Sequence, residues 1–164
     1  MALWGARFSE QADKRLQAFN ASISIDQKMV NQDIKGSIAH VTMLADQGII
    51  ETSDKEAIIS NLKDIQKEIA DGSLPIDPDA EDIHMFIEAE LTKRTPSGKK
   101  VHTARSRNDQ VATDFKLYSL DTCAEIKKYI RNVQFDFSIF RAGIDDYTGN
   151  YKCTLRQNME GIPV

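Results

Sequence analysis

The chain has 164 residues, of which 41% are hydrophobic, 28% charged and 7% aromatic, with a formal net charge of -4. That length supports one domain with its own core, and the mild acidity disfavours a nucleic-acid or membrane-surface binder. No apolar run approaches the roughly 20 residues that span a bilayer, and the start, Met1 to Phe8, has no apolar h-region, so no secretory leader is expected.

Residues 1–23 show little periodicity and read as an extended lead-in with one helix around residues 10–19. From Ser24 the pattern turns helical. Ile25 and Met29 lie four apart, as do Ile34 and Ile38, and Val41 and Leu44 continue the stripe. Gly36 interrupts it at a cost of roughly 1 kcal/mol relative to Ala and suits close helix packing; Gly48 reads as a helix stop. Ser53 and Glu56 have the spacing of a capping box, followed by Ile58, Leu62, Ile65 and Ile69 and a closing Gly72. Pro75 and Pro78 hold the next connection extended. A further helix is expected from about Ala80 to Lys93, burying Ile83, Phe86, Ile87 and Leu91. Thr95-Pro96-Ser97-Gly98 reads as a loop. Helix returns near Asp109 and continues to about Arg131 or beyond, with Val111, Phe115, Cys123, Ile126, Ile130 and Val133 as its apolar side. Phe135, Phe137, Phe140 and Gly143 do not continue that pattern. With no strand alternation, no repeat and sparse Gly and Pro, the expected fold is an all-α bundle. Cys123 and Cys153 read as free thiols of a reducing compartment, and His40, His84 and His102 are too scattered for a zinc site.

Chemistry concentrates in residues 99–110. Lys99, Lys100, His102, Arg105 and Arg107 alternate with Thr103, Ser106, Asn108 and Gln110, and the segment leads into a helix N-terminus. Such an end carries unpaired N–H groups and positive partial charge, and arginine grips carboxylates bidentately. The residue types fit a small anionic ligand or a solvated basic loop. A nucleic-acid patch is disfavoured, because no aromatic side chain stands ready to stack.

The run Lys100-Val101-His102-Thr103-Ala104-Arg105-Ser106-Arg107-Asn108-Asp109-Gln110 resembles the first long signature of the argininosuccinate lyase and delta-crystallin family. Other blocks match in order: Leu3 to Phe8 (with Ala6 where the family usually has Gly), Phe19 to Ile23, Asp33 to His40, and Glu81 to His84 with Ile87-Glu88. The resemblance covers residues 1 to about 131. It implies an amino-terminal helical domain over 1–108, leading into the first long helix of a fumarase/aspartase-type bundle over 109–164. It further implies a cytoplasmic homo-oligomer, tetrameric in the family. The activity implied is β-elimination of argininosuccinate to arginine and fumarate, in arginine biosynthesis. No metal or organic cofactor is implied, and no nucleic-acid or membrane partner. By motif match Ser22, Arg107 and Asn108 would touch substrate, while His84, Thr103, Ser106 and Asp109 would support the site. From the residues alone, Ser22 reads more readily as a helix N-cap before Ser24–Val30, and His84 reads equally as a buried, satisfied imidazole; His40 and His102 read as structural.

The family's next block, a Thr-His pair followed by Leu-Gln and then Pro-Val, is not matched. No histidine follows His102, and Thr154-Leu155 and Pro163-Val164 are faint echoes. The catalytic serine loop and the substrate-binding lysine of the family lie further on. The expectation is therefore a chain that retains no catalytic residue and presents one wall of a site, without turnover by itself. Two identities stay open: the amino-terminal segment of a lyase, or a non-catalytic binding or structural homologue in the manner of delta-crystallin. Apolar faces left exposed along the long helix predict self-association or partial disorder beyond about residue 131.

Overall fold

The computed structural model describes residues 14–148. The expectations for Leu3 to Phe8, Ala6, the first part of the helix at 10–19, Cys153 and the tail from 149 lie outside the described residues. Among the described residues the fold is all-helical. Helices α1 (Lys14–Asn20) and α2 (Ile23–Asp26) are short. A 3-10 turn (Gln27–Met29) follows, then α3 (Val30–Asp46), α4 (Thr52–Asp71), α5 (Ile83–Arg94), a second 3-10 turn (Pro96–Lys100) and α6 (Arg107–Thr148).

The core is the apolar stripe read from the sequence. Val41 and Leu44 of α3, Ile58, Leu62 and Ile65 of α4, and Ile83 and Leu91 of α5 are fully buried. Ile34 and Ile87 are nearly so. Each such side chain contributes about 1.5–3 kcal/mol by leaving water. Gly48 and Gly72 both take positive φ, 67° and 81°, a conformation that favours glycine, and so end α3 and α4 cleanly. Asp82 caps α5, its carboxylate accepting from the Met85 amide at 2.6 Å.

Several expectations need correction. The helix expected from Ser24 is broken by the 3-10 turn, and Ile25 is 72% exposed. The buried residues there are Ile23, Asp26 and Met29, three apart, which is the 3-10 period. Asp26 is drawn inward because its carboxylate accepts from the Ile83 amide at 3.1 Å and the Ser22 hydroxyl at 2.6 Å. The Ser53–Glu56 capping box does not form. The helix begins at Thr52, with Glu51 at the cap position, so Ser53 lies inside the first turn. Thr95 to Gly98 is not an open loop, since Pro96–Lys100 winds into a 3-10 turn. It lies so close to α5 that a Cβ on Gly98 would sit 3.0 Å from the Leu91 and Thr92 backbone. Finally, α6 starts at Arg107 and runs beyond Arg131 to Thr148, through the segment holding Phe135, Phe137, Phe140 and Gly143 that was not expected to continue it. Residues 107–148 contain no proline and a single glycine, Gly143, so nothing interrupts the hydrogen-bond ladder.

The described residues divide into two compact units, one ending at Tyr118 and the other beginning at Ser119. In the second unit, Leu120, Ile126, Tyr129, Ile130, Val133, Phe135 and Phe137 are each more than half exposed.

Candidate functional site

Three helices each contribute a polar pair at i,i+4 spacing, one turn apart on a single face. They are Asp33 and Ser37 of α3, His84 and Glu88 of α5, and Gln110 and Asp114 of α6. All but Glu88 are buried. His84 Nδ1 donates to Asp33 Oδ1 at 3.0 Å and lies 3.3 Å from Asp114 Oδ2. Gln110 Nε2 donates to the same Asp33 oxygen at 2.5 Å. Arg105 Nη2 donates to Ser37 Oγ at 3.3 Å. Gly36 makes room for this arrangement, since a Cβ there would meet Asp114 Oδ1 at 3.2 Å. The close helix approach expected of Gly36 is therefore real, and its partner is a carboxylate.

Electrostatics divides the labour between the two aspartates. Burial pushes Asp33 up, but the hydrogen bonds from His84 and Gln110 and the His84 charge outweigh it, and Asp33 stays below the usual carboxylate range. Burial and the adjacent Asp33 charge raise Asp114 to about 7, so it holds its proton well above the ordinary carboxylate range. Burial lowers His84, but the Asp33 hydrogen bond and charge, with Asp82 and Asp114, more than offset that and raise it. An ionised Asp33 only accepts, so the proton on His84 is placed on Nδ1. His84 Nε2 and Arg105 Nε are buried without a hydrogen-bond partner, and a small cavity lies among Asp33, Ser37, His84, Glu88, Arg105 and Gln110. The ligand atoms of Asp33, His84 and Asp114 fall within 4.8 Å of one another, a spacing compatible with a small cation. The donor set speaks against one. Nδ1 donates to Asp33, Asp114 binds its proton more tightly than an ordinary carboxyl, and Arg105 brings a positive charge alongside.

The residues singled out in the sequence fall into two groups. Arg107 and His84 belong to one hydrogen-bonded network, because Arg107 Nη1 donates to Gln110 Oε1 at 2.7 Å and Nη2 to Glu88 Oε2 at 2.8 Å. Those bonds use two of the five N–H donors of a guanidinium. Asn108 and Asp109 are exposed on the first turn of α6, and Ser106 caps that turn, its Oγ accepting from the Asn108 amide at 3.2 Å. Ser22 occupies the cap position of α2 but makes no side-chain cap bond; its hydroxyl donates to Asp26. Ser22 is thus tied to the start of α5, through Asp26 and the Ile83 amide, rather than to Asn108. His84 is buried as one reading expected, yet not satisfied at Nε2. His40 donates from Nε2 to the Thr103 carbonyl at 2.8 Å, a structural role. It steadies a turn in which Ala104 takes φ 55°, a left-handed conformation costing about 1–2 kcal/mol outside glycine. Burial and the Arg107 charge lower His102.

A lyase family model matches residues 6–138. The chain belongs to this lyase family. Relatives include argininosuccinate lyase of Lachnoclostridium phytofermentans, 49% identical over 149 residues, which are 90% of this chain and 32% of that protein. Another is argininosuccinate lyase of Clostridium botulinum, 49% identical over 134 residues, or 81% of this chain and 30% of that protein. A third is argininosuccinate lyase of Citrifermentans bemidjiense, 50% identical over 129 residues, or 78% of this chain and 28% of that protein. The chain thus spans about a third of the length of these relatives.

Asp33, Ser37, Glu88 and Asp114 do not stand out as site residues in the sequence. Apolar periodicity draws attention to the stripe, not to polar residues one helical position beside it. The signal was present as three polar pairs at i,i+4 on otherwise amphipathic helices.

Proposed function

We propose that this chain supplies the carboxylate-binding wall of an argininosuccinate lyase site, acting in the β-elimination that yields arginine and fumarate. Its near 49% identity to argininosuccinate lyases, across a stretch that includes residues 99–110, carries the reading. In this proposal Arg107 and Asn108 hold a substrate carboxylate at the amino end of α6, where backbone N–H groups and the helix dipole add to the guanidinium charge. Donors fixed there oppose the negative charge that develops on a carboxylate when the adjacent carbon loses its proton. Ser22 contributes a hydroxyl from a separate element. His84 stands behind the site, and Thr103, Ser106 and Asp109 shape the turn that presents it.

The reading extends to residues 1–108 as an amino-terminal helical domain and 109–164 as the start of a central bundle. It also extends to a cytoplasmic, arginine-biosynthetic homo-oligomer. The exposed Phe115, Leu120, Ile126, Ile130 and Val133 support association. No helix among the described residues is long and apolar enough to cross a membrane.

Calorimetric titration of the chain with fumarate and with argininosuccinate tests the proposal. Binding that Arg107→Ala abolishes, with helicity unchanged, is the expected result. Binding that survives Arg107→Ala and Asn108→Ala together sinks it. Fumarate release by the chain alone, followed by absorbance, is expected to be absent.

A further inference from the structure

We propose that Gln110 is a positioning residue. Its amide bridges the Arg107 guanidinium to the buried Asp33–His84 pair and so holds the arginine ready for a carboxylate. The identity of the ligand rests on the reading above; the bridge itself does not.

Gln110 is buried, and both ends of its amide are engaged. Oε1 accepts from Arg107 Nη1 at 2.7 Å, and Nε2 donates to Asp33 Oδ1. The amide can face only one way. Turned over, its NH2 would point at the guanidinium, which has only donors, and its carbonyl at a carboxylate, which only accepts. Asp33 in turn stays ionised because His84 Nδ1–H donates to the same oxygen. The orientation of Gln110 is therefore dictated from below by a buried ion pair. On the opposite side, Glu88 of α5 accepts from Arg107 Nη2 at 2.8 Å. Two acceptors from two helices, one on each Nη, fix the guanidinium plane, which is what bidentate recognition of a carboxylate requires. They leave Nε–H and the second hydrogen of each Nη for a ligand. Arg107 is only partly exposed, with 28% of its side chain reaching solvent, so its position is set by these contacts. A glutamine serving only to fill space would need neither bond.

Nitrogen-resolved proton exchange on the full chain tests the bridge. The Arg107 Nη–H protons are expected to exchange at least about tenfold more slowly than those of the exposed Arg131. Gln110→Met keeps the length of the side chain and removes both bonds. It should lose that protection while the His84 Nδ1–H signal persists. Protection unchanged in Gln110→Met, or Arg107 exchanging as fast as Arg131 in the unmodified chain, overturns the proposal. Should Gln110→Met unfold, Gln110→Glu decides. It keeps an acceptor for Arg107 and loses the donation to Asp33, so Arg107 stays protected while the His84 signal shifts; an unmoved His84 signal overturns the bridge. Fumarate titrated into the same samples separates the two readings. A response at Arg107 that weakens at least about fivefold in Gln110→Met supports both. A protected Arg107 that ignores fumarate supports the bridge and sinks the dicarboxylate reading.

Discussion

Helices α3 and α5 each bury two faces, held in opposite ways. One face carries Ile34, Val41 and Leu44, with Ile83, Ile87 and Leu91, against α4. The other carries Asp33 and Ser37, with His84, against Gln110 and Asp114 of α6. The apolar face gains from leaving water in any snug arrangement. The polar face loses hydration and regains it only where donors and acceptors meet in register. The first tolerates change in proportion to volume, and the second fails when a single partner is removed.

The largest effect should therefore come from the polar side. Asp33→Ala strips the acceptor from both His84 and Gln110 and leaves a buried imidazolium without its ionised partner. A loss of about 3–5 kcal/mol is expected from urea unfolding at pH 6. Leu62→Ala, at a fully buried site of α4, should cost about 3 kcal/mol through lost transfer energy and a residual cavity. If Leu62→Ala proves clearly the costlier of the two, the contrast between the faces is broken.

The pH response comes next, and only the polar face has one. Asp114, raised to about 7, keeps its proton in the folded chain where the unfolded chain has released it. Its contribution to stability therefore falls as pH rises from the ordinary carboxylate range towards 7. His84, raised from 6.5, acts in the same direction, its contribution being lost as pH climbs through the folded value. Asp33, lowered from 3.8, matters only on the acid side, where its contribution disappears as pH falls. The urea midpoint should thus be higher at pH 5 than at pH 8, and Asp114→Asn should flatten that difference. Equal midpoints in the unmodified chain would remove the proton from Asp114.

Gly36→Ala sharpens the contact between α3 and Asp114. The gain in helix propensity, about 1 kcal/mol, is opposed by a Cβ 3.2 Å from a carboxylate that the cluster holds in place. A net loss of roughly 1 kcal/mol is expected alone, and a net gain in the background of Asp114→Ala. The same sign in both backgrounds would mean that Asp114 does not set the spacing. The smallest effect belongs to Asn108→Ala, on the exposed first turn of α6. Stability should change by less than about 0.5 kcal/mol, while fumarate binding in calorimetry weakens.

Much of the fold was legible in the sequence. The steps from Ile58 to Ile69 and from Ile83 to Leu91 trace α4 and α5, and Gly48 and Gly72 mark ends that need positive φ. These signals are local, because a helix repeats every 3.6 residues and a left-handed cap demands glycine wherever it occurs. The breaks at α2, the missing capping box and the 3-10 turn at Pro96–Lys100 were not legible. Asp26 serves an amide on α5, Asp54 serves Ser97 and Lys100, and Gly98 lies against Leu91. The two aspartates find their partners some dozens of positions away, and Gly98 finds its own on the preceding helix, so none of these choices is set by the local sequence alone.

The site divides along the same line. The sequence by itself determined the basic, amide-rich run from Lys99 to Gln110 and, through its resemblance, the lyase family. It also marked Arg107 and Asn108 as the ends that meet a carboxylate in the proposed reading. Only the tertiary structure decided that Arg107 is gripped by Glu88 and Gln110, and that Asp33, His84 and Asp114 form one buried titratable cluster. The apolar stripe of α6 misled for the same reason. Within the first compact unit its buried residues are Gln110 and Asp114, while Val111 and Phe115 are exposed. Periodicity tells which side chains share a face. Which face is buried depends on the hydrogen-bond partners that the neighbouring helices bring to it.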